Sequence, residues 1–223
     1  DETGTLLATR IVPEWDEKGD PPVVATTVVS SQLLRVIAED KGWDYQETLT
    51  GFKHLSRAAD GRPGRLAFAY EEAVGTCPAP EIVADKDGIT TALLMAAWAA
   101  ELKAAGVTLQ DELDALYRRH GYFASTQVAV RTTNPRELVD AWSTTPPDEL
   151  IGVSMDSSAL PENQGVVIKG RLGAIQLRVI CRVSGTEAKA KIYLEVAQAS
   201  SHAEASELLE KLQEEVHSWG RKL

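Results

Sequence analysis

The sequence has few cysteines and no long apolar run, and both absences narrow the class of protein. Only two cysteines occur among 223 residues, Cys77 and Cys181, each in an apolar segment. We therefore expect two reduced structural thiols rather than a disulfide framework. The sequence has no run of about 18 apolar residues and does not open on a basic region followed by an apolar one. It thus predicts neither a membrane span nor a signal peptide, and we expect a soluble cytoplasmic protein.

An excess of basic residues is also missing. The chain carries 33 acidic and 23 basic residues, giving a net charge of −10, and its pI is near 4.9. This balance argues against nucleic acid as a partner, because phosphate backbones bind basic surfaces. Residues 165–191 differ, since they hold one acid, Glu187, and six cations: Lys169, Arg171, Arg178, Arg182, Lys189 and Lys191. This cationic segment would attract a small anion, or it merely keeps a sheet edge soluble.

The order of strand-like and helix-like segments predicts two domains. In the first half, "VVATTVV" and "RLAFAYE" are typical of buried strands, and "SSQLLRVIAEDKG" and "DGITTALLMAAWAAELKAAG" are typical of helices. The second half contains several shorter strand-like runs and ends in an amphipathic helix. We predict a mixed-sheet α/β domain over residues 1–120, followed by a small α+β domain over residues 121–223.

The stretch "CRVSGTEAKAKIYLEV", residues 181–196, combines a cation, two hydroxyls and a glycine at a tight turn. Arg182 can bind two oxygens of an anion through its guanidinium fork, and Ser184 and Thr186 supply hydroxyl donors. Gly185 allows positive φ and close approach of the backbone, whose successive N–H groups can form an anion-binding nest. The turn predicts a site for a phosphate monoester, although an ordinary hairpin has the same composition.

Two adjacent carboxylates, Glu71 and Glu72, follow the strand "RLAFA" and precede Gly75. At the carboxyl end of a strand in an α/β sheet, they are placed to accept hydrogen bonds from sugar hydroxyls. They could instead be a solvated pair, or the acid and nucleophile of a glycosidase. Neighbouring residues of an extended segment point to opposite faces, which weakens the glycosidase interpretation.

Three further features are less specific. Lys53 in "TLTGFKHL" could bind a phosphate or a sugar oxygen, or it is a surface lysine. In "DKDG", Asp85 and Asp87 are interpreted as a helix cap with Lys86 exposed, because the spacing supplies no third oxygen ligand for a metal. The histidines lack metal-ligand spacing and are expected to be structural. They are His54, His120, His202 and His217.

Five segments occur in the order "TLTGFK", "FAYEEAVG", "DKDGITTALL", "LYRRHGY" and "RVSGTEAKAKIYLEV". In this order they resemble the C-terminal half of the α-D-phosphohexomutase superfamily, the phosphoglucomutases and phosphomannomutases. The residues of the first two segments are most similar to those of the phosphopentomutase-like branch. The resemblance spans essentially the whole chain and implies that it contains the third and fourth domains of a four-domain enzyme.

The resemblance also implies roles for individual residues. Glu71 takes the place of the glutamate that binds sugar hydroxyls in the third domain, and Ala73 stands where many members have a serine, which puts hexose specificity in doubt. The implied substrate-binding residues are Glu71, Glu72, Gly75 and Lys53. The implied binding residues for the phosphate that is not transferred are Arg182, Ser184, Gly185, Thr186 and Lys191.

The activity that the resemblance implies is intramolecular phosphotransfer, an isomerase reaction between the 1 and 6 (or 5) hydroxyls of a sugar. The family uses a phosphoserine, Mg²⁺ and glucose or mannose 1,6-bisphosphate. Its Thr-x-Ser-His-Asn-type and Asp-x-Asp-x-Asp loops do not occur in this sequence. We therefore expect a fragment that needs N-terminal domains for activity. The alternatives are a non-catalytic sugar-phosphate binding module and a small carboxylate-pair hydrolase.

Overall fold

The structure, a computed structural model, describes residues 1–12, 19–184 and 188–220. The chain divides into two units, Asp1–His120 and Gly121–Leu223. A mixed sheet lies in the first unit and an antiparallel sheet in the second. The predicted mixed α/β class is therefore confirmed.

The first unit alternates strands with helices. Its elements, within the described residues, are α1 (Glu2–Ile11), β1 (Val23–Thr27), α2 (Leu33–Lys41), β2 (Asp44–Thr48), α3 (Phe52–Leu55), β3 (Leu66–Glu71), β4 (Gly75–Cys77), α4 (Gly88–Ala104) and α5 (Leu109–His120). The strand order is β2-β1-β3-β4. Strand β1 is parallel to β2 and β3, and β4 is antiparallel to β3. All five residues of β1 are buried, as is usual for a central parallel strand.

Helix α4 has apolar residues on every side over most of its length, yet Trp98 is the one residue of this helix that is buried. Leu93 is 69% exposed. Such helices are normally buried, so α4 offers an apolar surface. In the described part of the chain, no single helix is long and apolar enough to cross a membrane. The sharply bent pair of α4 and α5 meets that test jointly, by length and composition.

The second unit is built on one antiparallel sheet in the order β5-β10-β9-β8-β7-β6. Its described elements are β5 (Tyr122–Arg131), α6 (Pro135–Thr144), β6 (Glu149–Leu150), β7 (Val153–Ala159), a 3₁₀ turn (Pro161–Asn163), β8 (Gly165–Leu172), β9 (Ile175–Val183), β10 (Lys189–Ala199) and α7 (His202–Gly220). Side chains alternate between the two faces of each strand. One face carries the apolar core, which includes Val179 and Ile192 and packs with Trp142 of α6 and Leu212 of α7.

Both cysteines are free and buried, as the sequence analysis expected of structural thiols. Burial raises the pKa of Cys77 to about 11 and that of Cys181 to about 12. Both thiols are therefore protonated near neutral pH and are poor nucleophiles.

Candidate functional site

The parallel strands of the first unit end at a common edge of the sheet. Strand β1 ends at Thr27, β2 at Thr48 and β3 at Glu71. Ligands of open α/β sheets bind outside this carboxyl edge. The loop with Glu71 and Glu72 and the segment with Lys53 both follow strands at this edge.

Glu71 begins a tight hairpin between β3 and β4. It pairs with Gly75 across the hairpin, which leaves residues 72–74 as the loop. Within this loop Val74 has φ of 62° and is 96% exposed. A β-branched residue rarely adopts positive φ, and such strain is found most often at functional sites. The loop thus projects an apolar side chain at the carboxyl edge of the sheet.

The carboxylate of Glu71 is held by Lys86. Oε1 of Glu71 lies 3.6 Å from Nζ of Lys86, and the side chain of Glu71 is 15% exposed. The same Nζ lies 4.9 Å from the centre of the Phe52 ring, within cation–π range. Lys86 is exposed in a loop, as interpreted from the sequence, and its side chain is 51% exposed. Its ammonium group is in addition engaged at the predicted sugar loop.

Gly75 makes room for this contact. A Cβ atom at position 75 would lie 2.7 Å from Cδ of Lys86 and 3.0 Å from both Cγ and Oε1 of Glu71. A side chain here would push the lysine and the glutamate out of their present positions. Gly75 was predicted to bind substrate, and the structure places it where it permits the Glu71–Lys86 contact.

Glu72 has a different partner from Glu71. Its Oε2 accepts a hydrogen bond of 3.3 Å from Oγ1 of Thr27. The same Oγ1 of Thr27 is also hydrogen-bonded to Oγ of Ser30, at 2.9 Å. The two carboxylates therefore lie in separate hydrogen-bonding environments. This arrangement gives no support to a glycosidase pair, in which both carboxyl groups must face one scissile bond.

Lys53 lies on the short helix α3, next to the buried Phe52. Its side chain is exposed, and within the described residues it forms no ion pair. Gly51, which precedes α3, has φ of 112°, a value that favours glycine. With respect to the described residues, Lys53 is therefore an unpaired cation on the segment that follows β2.

The acidic residues of "DKDG" act as predicted for a helix cap. The carboxylate of Asp87 accepts hydrogen bonds from the backbone N–H groups of Ile89 and Thr90 at the start of α4. Oδ1 of Asp85 accepts from the backbone N–H of Lys86. Across the described residues, no three His, Cys, Asp or Glu side chains are grouped so that they could hold a metal. The chain as described thus offers no fit for Mg²⁺.

In the second unit, Arg182 and Ser184 lie where β9 ends. The backbone N–H of Ser184 donates to the carbonyl of Lys189, which closes the start of the turn. Nη1 of Arg182 donates to the carbonyl of Val183. Arg182 is 8% exposed, and its buried Nε has no hydrogen-bond partner among the described atoms. The predicted ligands Gly185 and Thr186, and also Glu187, lie outside the described residues.

Lys191 stands directly opposite Arg182 in the β9–β10 pair. Nζ of Lys191 and Cζ of Arg182 lie 5.8 Å and 6.0 Å from the centre of the Tyr193 ring. Within the described part of the chain neither cation forms an ion pair. The sequence analysis did not single out Tyr193, because a tyrosine in a strand is typical of any sheet.

The cationic segment is not one continuous anion-binding surface. Arg178 forms a buried ion pair of 2.8 Å with Glu195 on the neighbouring strand. Lys169 and Arg171 are exposed on β8. The charge available near the turn therefore comes from Arg182, Lys191 and their immediate surroundings.

Comparison with known proteins assigns the chain to a family. The family model described as phosphoglucomutase/phosphomannomutase, alpha/beta/alpha domain III, matches residues 1–120. A "Probable phosphomannomutase" of Haemophilus influenzae is 32% identical over 206 residues, which make up 89% of this chain and 41% of that protein. The phosphopentomutase of Mus musculus is 36% identical over 134 residues, or 56% of this chain and 22% of that protein.

A solved structure shows the same fold. The N-acetylphosphoglucosamine mutase of Aspergillus fumigatus, crystallised as a variant with glucose 1,6-bisphosphate, matches with a TM-score of 0.57 and 17% identity. The match covers 98% of this chain and 43% of that one. The chain belongs to the phosphoglucomutase/phosphomannomutase family, within the α-D-phosphohexomutase superfamily. The chain spans about two fifths of the length of the Haemophilus relative, since the matched residues make up 41% of that protein.

Proposed function

We propose that this chain is the sugar- and phosphate-binding part of a phosphosugar mutase of the phosphoglucomutase and phosphomannomutase type. The complete enzyme would move phosphate reversibly between the 1 and the 6 (or 5) hydroxyl of one sugar. A phosphoserine would donate and recover the phosphoryl group, and glucose or mannose 1,6-bisphosphate would be the intermediate and activator. Residues 1–120 would be the third domain of this enzyme and residues 121–223 the fourth.

The observation that carries this proposal is the unbalanced charge at the end of β9. Buried charges in proteins are normally paired, and Arg178 follows this rule through Glu195. Arg182 instead faces a second cation, Lys191, and its buried Nε has no partner within the described residues. A bound anion would balance this charge and accept the unused N–H group.

A phosphate monoester suits this site better than a simple halide or a carboxylate. It carries up to two negative charges and three terminal oxygens. The guanidinium of Arg182 can donate to two of them, while Lys191 acts as a point charge. The hydroxyl of Ser184 adds a neutral donor at the start of the turn. Gly185 and Thr186 complete the proposed clamp by family resemblance.

The sugar would be recognised by the hairpin of Glu71. A mostly buried carboxylate that accepts hydrogen bonds discriminates strongly between hydroxyl patterns, because an unmatched acceptor stays unpaired. Lys86 fixes this carboxylate, and Gly75 makes room for both. Glu72 supports the loop through Thr27, and Lys53 offers a further cation. Ala73 leaves the choice between hexose and pentose phosphates open.

This division of roles fits the demands of the reaction. A bisphosphate intermediate must turn around, so that each of its phosphates is transferred in one half-reaction and held in the other. A clamp that binds whichever phosphate is distal serves both halves, provided that the sugar loop accepts both orientations. Phosphoryl transfer itself depends mainly on positioning and charge stabilisation.

The donor chemistry is assigned to residues outside this chain. Among the described residues, no three His, Cys, Asp or Glu side chains lie close enough together to hold Mg²⁺. In the complete enzyme, N-terminal domains would supply the phosphoserine and the metal, and the exposed apolar face of α4 is a surface available to them. We expect the isolated chain to show no mutase turnover.

Titration of the ¹⁵N-labelled chain tests the binding role. Glucose 1-phosphate and ribose 1-phosphate should each shift the amide of Ser184 and the Nε–H signal of Arg182, with a Kd of roughly millimolar. Arg182→Met should abolish these shifts. Arg171→Met, which removes an exposed cation from β8, should leave them unchanged. Absence of movement at both Ser184 and Arg182 in the wild type would refute the clamp.

The same titration does not separate a mutase from a non-catalytic binding module, because both would bind the sugar phosphate. That distinction needs the longer polypeptide that contains this chain. Conversion of glucose 1-phosphate to glucose 6-phosphate by that polypeptide, in the presence of Mg²⁺, supports the mutase. Binding without conversion of any hexose or pentose phosphate supports the module.

A further inference from the structure

Three successive rungs of the β9–β10 pair place their side chains on one face of the second sheet. Lys191 is opposite Arg182, Tyr193 is opposite Ile180, and Glu195 is opposite Arg178. We call these three pairs, in this order, the clamp rung, the tyrosine rung and the neutral rung. Because every second residue of a strand points to the same face, the three rungs adjoin one another on that face.

The clamp rung has an electrostatic problem that the neutral rung does not have. Side chains directly opposite each other in an antiparallel pair have Cβ atoms about 4.5–5.5 Å apart, and like charges at this spacing repel. In the neutral rung Arg178 is matched by Glu195 at 2.8 Å. In the clamp rung Arg182 is matched by Lys191, and within the described residues no acid compensates either charge. Without an anion, the two cations would be expected to turn away from each other.

The ring of Tyr193 lies where it can counter this tendency. It follows Lys191 by two residues on the same face of β10, and it is diagonal to Arg182 on β9. Aromatic side chains can reach such diagonal neighbours. The charged groups of Arg182 and Lys191 lie 6.0 Å and 5.8 Å from the ring centre. At such distances the negative face of the ring attracts a cation, and more strongly where water is excluded.

We infer that Tyr193 is a positioning residue of the phosphate clamp, whose ring holds Arg182 and Lys191 together in the absence of the anion. The inference rests on the proposed function, since it assumes that these two cations bind phosphate. The ring acts through its face, so the hydroxyl is not required for this role. Tyr193 itself touches neither the sugar nor the phosphate in this account.

Two variants distinguish the contribution of the aromatic face of Tyr193 from those of its hydroxyl group and of its apolar volume. Tyr193→Phe keeps the aromatic face, and Tyr193→Leu removes it while leaving an apolar side chain. Inorganic phosphate and glucose 1-phosphate are the probes, with binding followed by NMR of the labelled chain. The Leu variant should weaken binding about fivefold, the loss expected from one cation–π contact that is still partly solvated. The Phe variant should bind within about twofold of the wild type.

A second measurement needs no ligand. In the free wild-type chain, the ring current of Tyr193 should shift the signals of the Lys191 Cε–H₂ group and of the Arg182 Nε–H group. These shifts should persist in Tyr193→Phe and vanish in Tyr193→Leu. If the Leu variant does not fold, Tyr193→Met takes its place, because methionine fills a similar volume and has no aromatic face.

The outcomes are distinct. Weaker binding and lost ring-current shifts in the Leu variant, both restored in the Phe variant, support the inference. Equal binding in all three proteins overturns it and leaves the clamp itself intact. If the wild type binds neither probe at Arg182 and Ser184, the proposed function fails and this inference falls with it. If the Phe variant binds as poorly as the Leu variant, the hydroxyl is responsible and the assigned role of the ring is wrong.

Discussion

Lys86 and Glu71 join two loops of the first unit, with Nζ and Oε1 3.6 Å apart. Glu71 comes from the end of β3, and Lys86 from the loop that leads into α4. The lysine also lies over the ring of Phe52. A carboxylate with one fixed cationic partner keeps its second oxygen free in a defined direction, which is what recognition of a sugar hydroxyl requires.

Replacing Lys86 by methionine should weaken sugar-phosphate binding and barely change stability. Because the lysine is half exposed, its ion pair should contribute at most about 1 kcal/mol to the free energy of unfolding. Loss of a fixed Glu71 carboxylate should raise the Kd for glucose 1-phosphate about three- to tenfold, which corresponds to the roughly 1 kcal/mol net contribution of a typical hydrogen bond. Lys103→Met, on the exposed side of α4, is the control. An unchanged Kd in the Lys86 variant would show that Glu71 needs no such partner.

Replacing Gly75 by alanine should disturb the contact between Lys86 and Glu71, because the added methyl group would occupy the space that the lysine side chain now fills. The new Cβ would lie 2.7 Å from Cδ of Lys86, so the flexible lysine must move. We expect a loss of about 1–2 kcal/mol in urea unfolding, typical of mild overpacking, together with shifted signals of Glu71. Gly88→Ala is the matched control, because a Cβ there meets nothing within 4 Å. Equal stability and unchanged Glu71 signals in Gly75→Ala would contradict this account.

The sequence predicted those elements whose patterns are strong and local. Strand β1 is a run of buried β-branched residues, and α4 has both a capping aspartate and a long stretch of helix formers. The sequence analysis did not predict α6, although Asn134 caps it and Pro135 stands in its first turn. Strand β7 was also not predicted, because its alternation of buried apolar and exposed polar residues covers only its first four positions and its last three residues are all exposed.

In the candidate site, the sequence likewise predicted groupings of neighbouring residues but not contacts between residues that are distant in the chain. Glu71, Glu72 and Gly75 could be grouped because they are neighbours in one hairpin. Lys86 could not be assigned to Glu71, since only the folded chain brings its loop to β3. In the same way, counting charges along residues 165–191 included Arg178 as a free cation, whereas Glu195 on the adjacent strand neutralises it. Contacts across strands depend on register, which the sequence pattern alone did not supply.

The cap of α4 should make stability depend on pH. Hydrogen bonds from the side chain and the backbone of Thr90 hold the pKa of Asp87 below its usual range. A carboxyl group whose pKa is lowered by folding stabilises the native state above its unfolded pKa of about 3.9. This contribution is lost as the pH falls through the lower pKa of the folded state. Asp87→Ala should therefore reduce the urea midpoint at pH 7 and reduce it by less at pH 2.

The control for this prediction is Asp114→Ala, which removes a partly exposed carboxylate from α5 that accepts a hydrogen bond from Gln110. It should shift the midpoint little at either pH. Asp87→Asn should keep part of the cap, since asparagine accepts the same backbone hydrogen bonds without a charge. If the deficit of Asp87→Ala were as large at pH 2 as at pH 7, hydrogen bonding to the ionised carboxylate would not be its cause.

The two buried arginines of β9 should respond in opposite ways to the same substitution. Arg178→Met leaves Glu195 as a buried charge without its ion-pair partner, and breaking a buried pair typically costs about 3–5 kcal/mol. Arg182→Met removes a buried cation that faces Lys191, so it should leave the unfolding free energy unchanged or increase it. Residues that serve binding at the expense of stability behave in this way.

Added inorganic phosphate makes the contrast sharper. A ligand that binds only the native state stabilises it by RT ln(1 + L/Kd), where L is the free ligand concentration, and so raises the melting temperature. Phosphate should therefore stabilise the wild type and Arg178→Met, if the latter folds, but not Arg182→Met. Glu195→Gln provides a second test of the neutral rung, because it leaves Arg178 buried without its acid. If Arg182→Met lowered the free energy of unfolding as much as Arg178→Met, Arg182 would be a structural residue, and its charge would not serve to bind an anion.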